Sequence, residues 1–160
     1  MVVRSRDFMD DDPGFLPGDI KEKSMPLLAG ITDALISMHS LENDDKNTAV
    51  TIEHIIERAN IEFTSMAYFR GRSIDDAVLI IDEAQNMTRA QMKGMLSRGG
   101  KNCRTIVLGN LSQIDDRFVT AASSGASAAV NIYRHYENGS VLIFDEVERS
   151  SLADFTEKNF

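Results

Sequence analysis

Cysteine occurs once in the 160 residues, at Cys103, so no disulfide can close within the chain, and a lone thiol fits a reducing compartment. No apolar run approaches the length needed to span a bilayer, and the opening Met1-Val2-Val3-Arg4 lacks the extended apolar segment of a secretory signal. Together these absences make the cytoplasm the default location and leave no membrane partner. Positive charge is the minority sign: 17 Lys and Arg stand against 25 Asp and Glu. The net charge of −8 argues against a protein that grips nucleic acid by its overall field, while a local basic groove is compatible with it. His39, His54 and His135 have no ligand spacing, so no His or Cys metal cluster can be read from the chain. Internal repeats and low-complexity segments are also absent.

What remains is a globular composition, 42% apolar and 26% charged, in a chain of single-domain size that can bury a core. Residues 1–160 read as one domain with an acidic connection near 41–49. A short strand is expected over Met1 to Arg6, followed by loop where Pro, Gly and Asp concentrate between Asp10 and Gly18. Leu28, Ile31, Leu35 and Met38 recur at helical spacing, and Ile52, Ile55, Ile56 and Ala59 mark a second short helix. Ile61 to Phe69 reads as a strand ending at Arg70-Gly71-Arg72. Thr88 opens a further helix as its N-cap and sends Met92, Met95 and Leu96 toward the core, with Gly99-Gly100 as the stop. Thr105 to Leu108 is expected as a buried strand, Ala126 to Tyr136 as a helix, and Val141 to Phe144 as the last strand. Strands alternating with helices in this way make βαβ units, hence an α/β fold with a parallel sheet.

The run Val78-Leu79-Ile80-Ile81 ends in Asp82-Glu83. It is short, rich in β-branched residues and followed by a polar stretch, the pattern of a strand buried on both faces whose C-terminal end opens into a site. Parallel sheets bind ligands at that edge. This is the form of a Walker B strand: Asp82 would hold Mg²⁺ directly or through water, and Glu83 would polarise the water attacking a γ-phosphate. The plainer alternative is a carboxylate that only caps a loop or helix.

One βαβ unit later, Ile106-Val107-Leu108 runs into Gly109-Asn110-Leu111-Ser112-Gln113. The amides of Asn110 and Gln113 can donate to phosphate or orient water, as a γ-phosphate sensor must. An Asn that satisfies its own turn is the alternative. Arg149 follows the final expected strand and could stabilise charge on a transferring phosphate, or simply pair with a neighbouring Glu at the surface. Arg4, Arg6, Arg70 and Arg72 are candidate nucleic-acid backbone contacts, with surface solubility as the competing account.

These segments resemble the PhoH family, cytoplasmic ATPases of bacteria and phages whose domain is similar to the RecA-like core of superfamily 1 helicases. The resemblance is carried by Gly14-Phe15-Leu16-Pro17-Gly18-Asp19 with Glu22-Lys23, by Arg70-Gly71-Arg72-Ser73, by Asp82-Glu83-Ala84-Gln85-Asn86 with Thr88, Gln91, Met92 and Lys93, and by Gly109 with Gln113-Ile114-Asp115. Ser124-Gly125 and the pair Val147 and Arg149 extend it. It implies ATP and Mg²⁺ as cofactors, Asp82 and Glu83 as the metal and water-activating acids, Gln113 as γ-phosphate sensor and Arg149 as the arginine after the last core strand. Gln85 and Asn110 then fall beside the nucleotide. It further implies a three-layer parallel sheet of RecA-like P-loop NTPase type and action on RNA or another nucleic acid; a homo-oligomer ring is a further expectation, because such sites often take an arginine from a neighbouring subunit.

The chain departs from the family pattern at Asn110, where the family has Asp, so a charge is lost and slower hydrolysis is expected. It also contains no Gly-x-x-x-x-Gly-Lys-Ser/Thr, the loop whose N–H groups and Lys cradle phosphates. Gly99-Gly100-Lys101 stands between helix and strand, the reverse of the order that aims helix amides at phosphate. In the implied strand order 5-1-4-3-2, the P-loop strand would lie between the strands at Thr105 to Leu108 and Val141 to Phe144. The chain is therefore expected to be part of a longer protein, a subunit completed by a P-loop-bearing partner, or a relic whose last strand closes onto the Walker B side. The alternative to an ATPase domain is a non-catalytic interaction module.

Overall fold

The computed structural model describes residues 1–4, 33–34, 36–38, 54–69, 71, 73–144 and 150–159. Four strands, β1 (Val2–Arg4), β2 (Phe63–Ser65), β3 (Val78–Asp82) and β4 (Arg104–Val107), form one parallel sheet in the order β2-β1-β3-β4. The fold is α/β. Val2 lies opposite Ile80 and Arg4 opposite Asp82, while Val78 to Ile81 run in register with Arg104 to Val107. The acidic strand is therefore interior, with β1 on one flank and β4 on the other, and no place beside it remains for a strand from 141–144.

Contacts divide the chain into two units, Met1–Ala129 and Val130–Phe160. In the first, Val3, Leu79 and Ile81 are fully buried and are joined by Phe69, Met87, Met92 and Met95. Burial of a side chain of this size contributes about 1.5–3 kcal/mol, so this one face of the sheet dominates the core. The other face is covered less: Val78 is 45% exposed, Ile106 39% and Leu108 47%. The expectation that both strands are buried on two faces is corrected here. β4 has a strand neighbour only at β3 among the described residues, and Ile106 and Leu108 on its second face are partly exposed.

The helix α1 (Arg89–Leu96) starts where the sequence places it. The Thr88 hydroxyl accepts from the Gln91 N–H at 3.3 Å, and the Gln91 side chain accepts from the Thr88 N–H at 2.8 Å, a reciprocal capping box. Met92 and Met95 are buried and Leu96 is half-buried. The helix α2 (Gly125–Tyr133) begins one residue before the expected start and stops at Tyr133 instead of Tyr136. In the second unit, the rings of Tyr133 and Tyr136 meet edge to face at 5.8 Å.

Two further expectations change. The strand over 61–69 shrinks to β2, which pairs with Val2–Arg4 among the described residues, and turns into a 3-10 helix at Met66–Phe69. Residues 141–144 are not a strand: they are irregular, with Leu142, Ile143 and Phe144 each more than 70% exposed. A β-prone run becomes a strand only when a neighbour completes its hydrogen bonds, and none does so among the described residues. A helix not anticipated from the sequence, α3 (Ser151–Asn159), follows, with Leu152 and Phe155 exposed.

Residues 36–38 are helical, but Met38 is exposed; residues 54–58 are helical, with Ile55 and Ile56 half-buried. The loop at 10–18, the positions Leu28, Ile31 and Leu35, the connection near 41–49 and Ile52 lie outside the described residues.

Candidate functional site

The site is built at the C-terminal ends of β3 and β4. Asp82 closes β3 and is half-buried. The next residue, Glu83, adopts a left-handed backbone at φ 54° and ψ 34°, which costs a non-glycine residue roughly 1–2 kcal/mol. That conformation ends the strand and redirects the chain into a 3-10 turn over Ala84–Asn86, all three of whose residues are buried. The turn is lashed to the neighbouring strand end: Leu108 N–H donates to the Ile81 carbonyl at 2.8 Å, and Ala84 N–H donates to the Leu108 carbonyl at 2.9 Å.

Gln85 occupies the centre. It is 1% exposed, and its carboxamide touches both halves of the site. Its Nε2 donates to Glu83 Oε2 at 2.7 Å and to the Gln113 carbonyl at 3.2 Å, and its Oε1 accepts from Asn110 N–H at 3.1 Å. Gly109 is what permits this approach. A Cβ there would stand 3.0 Å from Gln85 Oε1 and 3.1 Å from Gln85 N.

The loop that follows is rigidified by its own polar groups. Asn110 Oδ1 accepts from Ser112 N–H at 3.1 Å and from the Ser112 hydroxyl at 2.8 Å, capping the 3-10 helix Leu111–Gln113. The Asn110 oxygen thus satisfies its own turn. Gln113 is exposed at the end of the same turn. Asn86 pins the continuation, since its Oδ1 accepts from Asp115 N–H at 2.9 Å and Asp116 N–H at 3.3 Å. Its Nδ2 is buried without a hydrogen-bond partner.

The fold therefore gathers Asp82, Glu83, Gln85, Asn110 and Gln113 at one edge of the sheet. Arg4 lies opposite Asp82 in β1, with its side chain outside the described residues. Arg6, Arg70, Arg72 and Arg149 lie outside the described residues as well. Sequence reasoning assigned no role to Asn86 or Ser124. Both are buried polar residues, and the signal for Ser124 was available in its position just before a helix.

The donor chemistry suits Mg²⁺ better than a transition metal. Among the described residues no three His, Cys, Asp or Glu side chains group into a metal site. Mg²⁺ needs only one or two protein carboxylates when phosphate and water supply its other oxygens, and Asp82 fits that requirement. No helix among the described residues is long and apolar enough to cross a membrane.

A parallel α/β sheet with two acids at the carboxyl end of an interior strand, linked to an amide-bearing loop on the next strand, is the arrangement of a P-loop NTPase-like domain. The profile of the PhoH-like protein family matches residues 2–159, and the chain belongs to that family. It is 40% identical over 135 residues to a PhoH-like protein of Bacillus subtilis (strain 168), covering 84% of this chain and 39% of that protein. Over 151 residues it is 36% identical to protein PhoH of Escherichia coli (strain K12), 92% of this chain and 40% of the relative. A PhoH-like protein of Mycobacterium leprae is 40% identical over 125 residues, 78% of this chain and 33% of its own length. The chain thus spans between 33% and 40% of the length of these relatives.

Proposed function

We propose that this chain supplies the acid and sensor half of an ATP-hydrolysing site, and that the complete site couples hydrolysis to work on nucleic acid, with RNA as the favoured substrate. The observation that carries the reading is the Glu83 carboxylate at the end of the interior strand, tied through Gln85 to the loop bearing Asn110 and Gln113. Bound Mg²⁺ would neutralise charge between the β- and γ-phosphates, and Asp82 is the residue that would hold it. Glu83 takes the proton of the attacking water. The Asn110 Nδ2 and the Gln113 side chain are the donors for the γ-phosphate, and Arg149 is assigned to charge developing on the transferred group. The nucleic-acid substrate rests on the family resemblance; the backbone-contact role of Arg4, Arg6, Arg70 and Arg72, ring assembly and a cytoplasmic location also belong to this proposal.

A P-loop-bearing segment is the partner this half requires. Its place is supported by the outer flank of β4, which has no strand neighbour among the described residues, and by the exposed Ile106 and Leu108 beside it. Since this flank equally suits a non-catalytic interaction module, hydrolysis is the discriminating measurement. Mg²⁺-dependent phosphate release is followed with the chain joined to its P-loop-bearing complement, with and without single-stranded RNA. Glu83→Gln is expected to lower kcat by about 10²-fold or more, the usual weight of a general base. Hydrolysis unchanged by Glu83→Gln, or partner binding with no hydrolysis at all, would establish the module instead. The chain by itself should show little affinity for ATP. A micromolar Kd, about −8 kcal/mol, would overturn the assignment of the phosphate cradle to another segment.

A further inference from the structure

The Gln85 side chain is buried, and besides meeting both ends of the 3-10 helix Leu111–Gln113 it holds the Glu83 carboxylate. A carboxamide has two donor hydrogens and an acceptor oxygen. Here both hydrogens are used, on Glu83 Oε2 and the Gln113 carbonyl, and the oxygen is used on Asn110 N–H. The opposite orientation of the amide would set its oxygen against a carboxylate and its NH₂ against an N–H, so only one orientation is compatible with its neighbours. With 1% exposure, the group cannot exchange a lost partner for water without moving. Gly109 holds the loop close enough that no side chain intervenes.

We propose that Gln85 is a positioning residue that couples the aim of the Glu83 carboxylate to the position of the 109–113 loop, so that the two change state together. This rests on the ATPase reading for its purpose: when the carboxylate rotates to present Oε2 to water, that oxygen leaves Gln85, and its departure loosens the grip on Asn110 and Gln113. The loop then reports whether Glu83 is engaged. The same bonds work in reverse: a phosphate that draws the loop away frees Glu83 to turn.

The test needs no nucleotide. Backbone amide exchange is measured by NMR on the full chain for Asn110, with Gly125 as control, since its N–H donates to the Met87 carbonyl at 2.7 Å in the same unit. Glu83→Ala removes the acceptor for Gln85 Nε2 and is expected to speed Asn110 exchange about tenfold while Gly125 is unchanged. Glu83→Gln keeps an acceptor oxygen and should leave Asn110 near its original rate. In a Gln85→Met background, the Glu83→Ala change should no longer alter Asn110. Equal acceleration of Asn110 and Gly125, no response of Asn110 to Glu83→Ala, or an undiminished response without Gln85 would each overturn the coupling. Should Gln85→Met fail to fold, the contrast between Glu83→Ala and Glu83→Gln decides alone. Coupling found without hydrolysis in the completed site would sink the ATPase reading only; hydrolysis found with an indifferent Asn110 would sink the coupling only.

Discussion

The Ser124 hydroxyl donates to the Gln85 carbonyl at 2.9 Å and accepts from Ala126 N–H at 3.1 Å, so one buried oxygen joins the N-terminus of α2 to the turn that carries the candidate acids. Next to it, Gly125 N–H donates to the Met87 carbonyl at 2.7 Å. The site turn is therefore held from both sides, by the 109–116 loop through Gln85 and Asn86 and by α2 through Ser124.

Ser124→Ala should consequently do more than remove a helix cap. It leaves the Gln85 carbonyl buried without that donor and the α2 start without its acceptor, a loss of about 2–4 kcal/mol from the two effects together. Urea unfolding of the full chain measures it. A change below about 0.5 kcal/mol, the level of an ordinary surface substitution, would show that water replaces the hydroxyl at both ends.

Two glycines in helices should respond in opposite directions to alanine. At Gly125 a Cβ would meet Met92 Cβ at 2.6 Å and the Thr88 carbonyl oxygen at 2.7 Å, so Gly125→Ala must push α1 and α2 apart and is expected to cost about 1–3 kcal/mol. At Gly94, inside α1, a Cβ meets nothing within 4 Å. Gly94→Ala should stabilise by about 0.5–1 kcal/mol through the lower entropy of the unfolded chain. Thermal unfolding of the two variants side by side gives the signs directly.

Asn110 has a capping duty and a proposed duty at phosphate, which substitution can separate. Asn110→Asp keeps an oxygen for the Ser112 N–H and should leave stability within about 0.5 kcal/mol of the original, whereas Asn110→Ala loses the cap and should cost about 1 kcal/mol. In the completed ATPase Asn110→Ala should lower kcat or raise KM, whereas Asn110→Asp, which restores the charge of the family pattern, should raise kcat. Activity lost only in step with stability would confine Asn110 to the cap.

The elements legible in the sequence are those with a local cause. Thr88 and Gln91 lie three apart and cap each other, so α1 could be started at the correct residue before any packing was known. Val78 to Ile81 are β-formers ending in acids, and β3 runs Val78–Asp82. The expected strand at 141–144 had equally good β-formers and is irregular, because strand formation depends on a partner that the local sequence does not specify. The burial of β4 was misjudged for the same reason: Ile106 is apolar, but exposure at an edge is decided by what lies alongside. The helix α3 was not anticipated although Ser150 and Ser151 stand at its start and Leu152 and Phe155 are spaced three apart, a pattern of only two apolar positions.

The candidate site divides in the same way. The sequence by itself determined the chemistry available, two adjacent acids after an apolar strand and amides after the next, since residue type fixes charge and hydrogen-bonding capacity. Only the tertiary structure decided that Gln85, expected beside the nucleotide, turns inward and joins Glu83 to the loop at Asn110. Orientation of that kind depends on β3 and β4 lying side by side with Gly109 at their junction, and a polar group excluded from water must take whichever partners that packing provides.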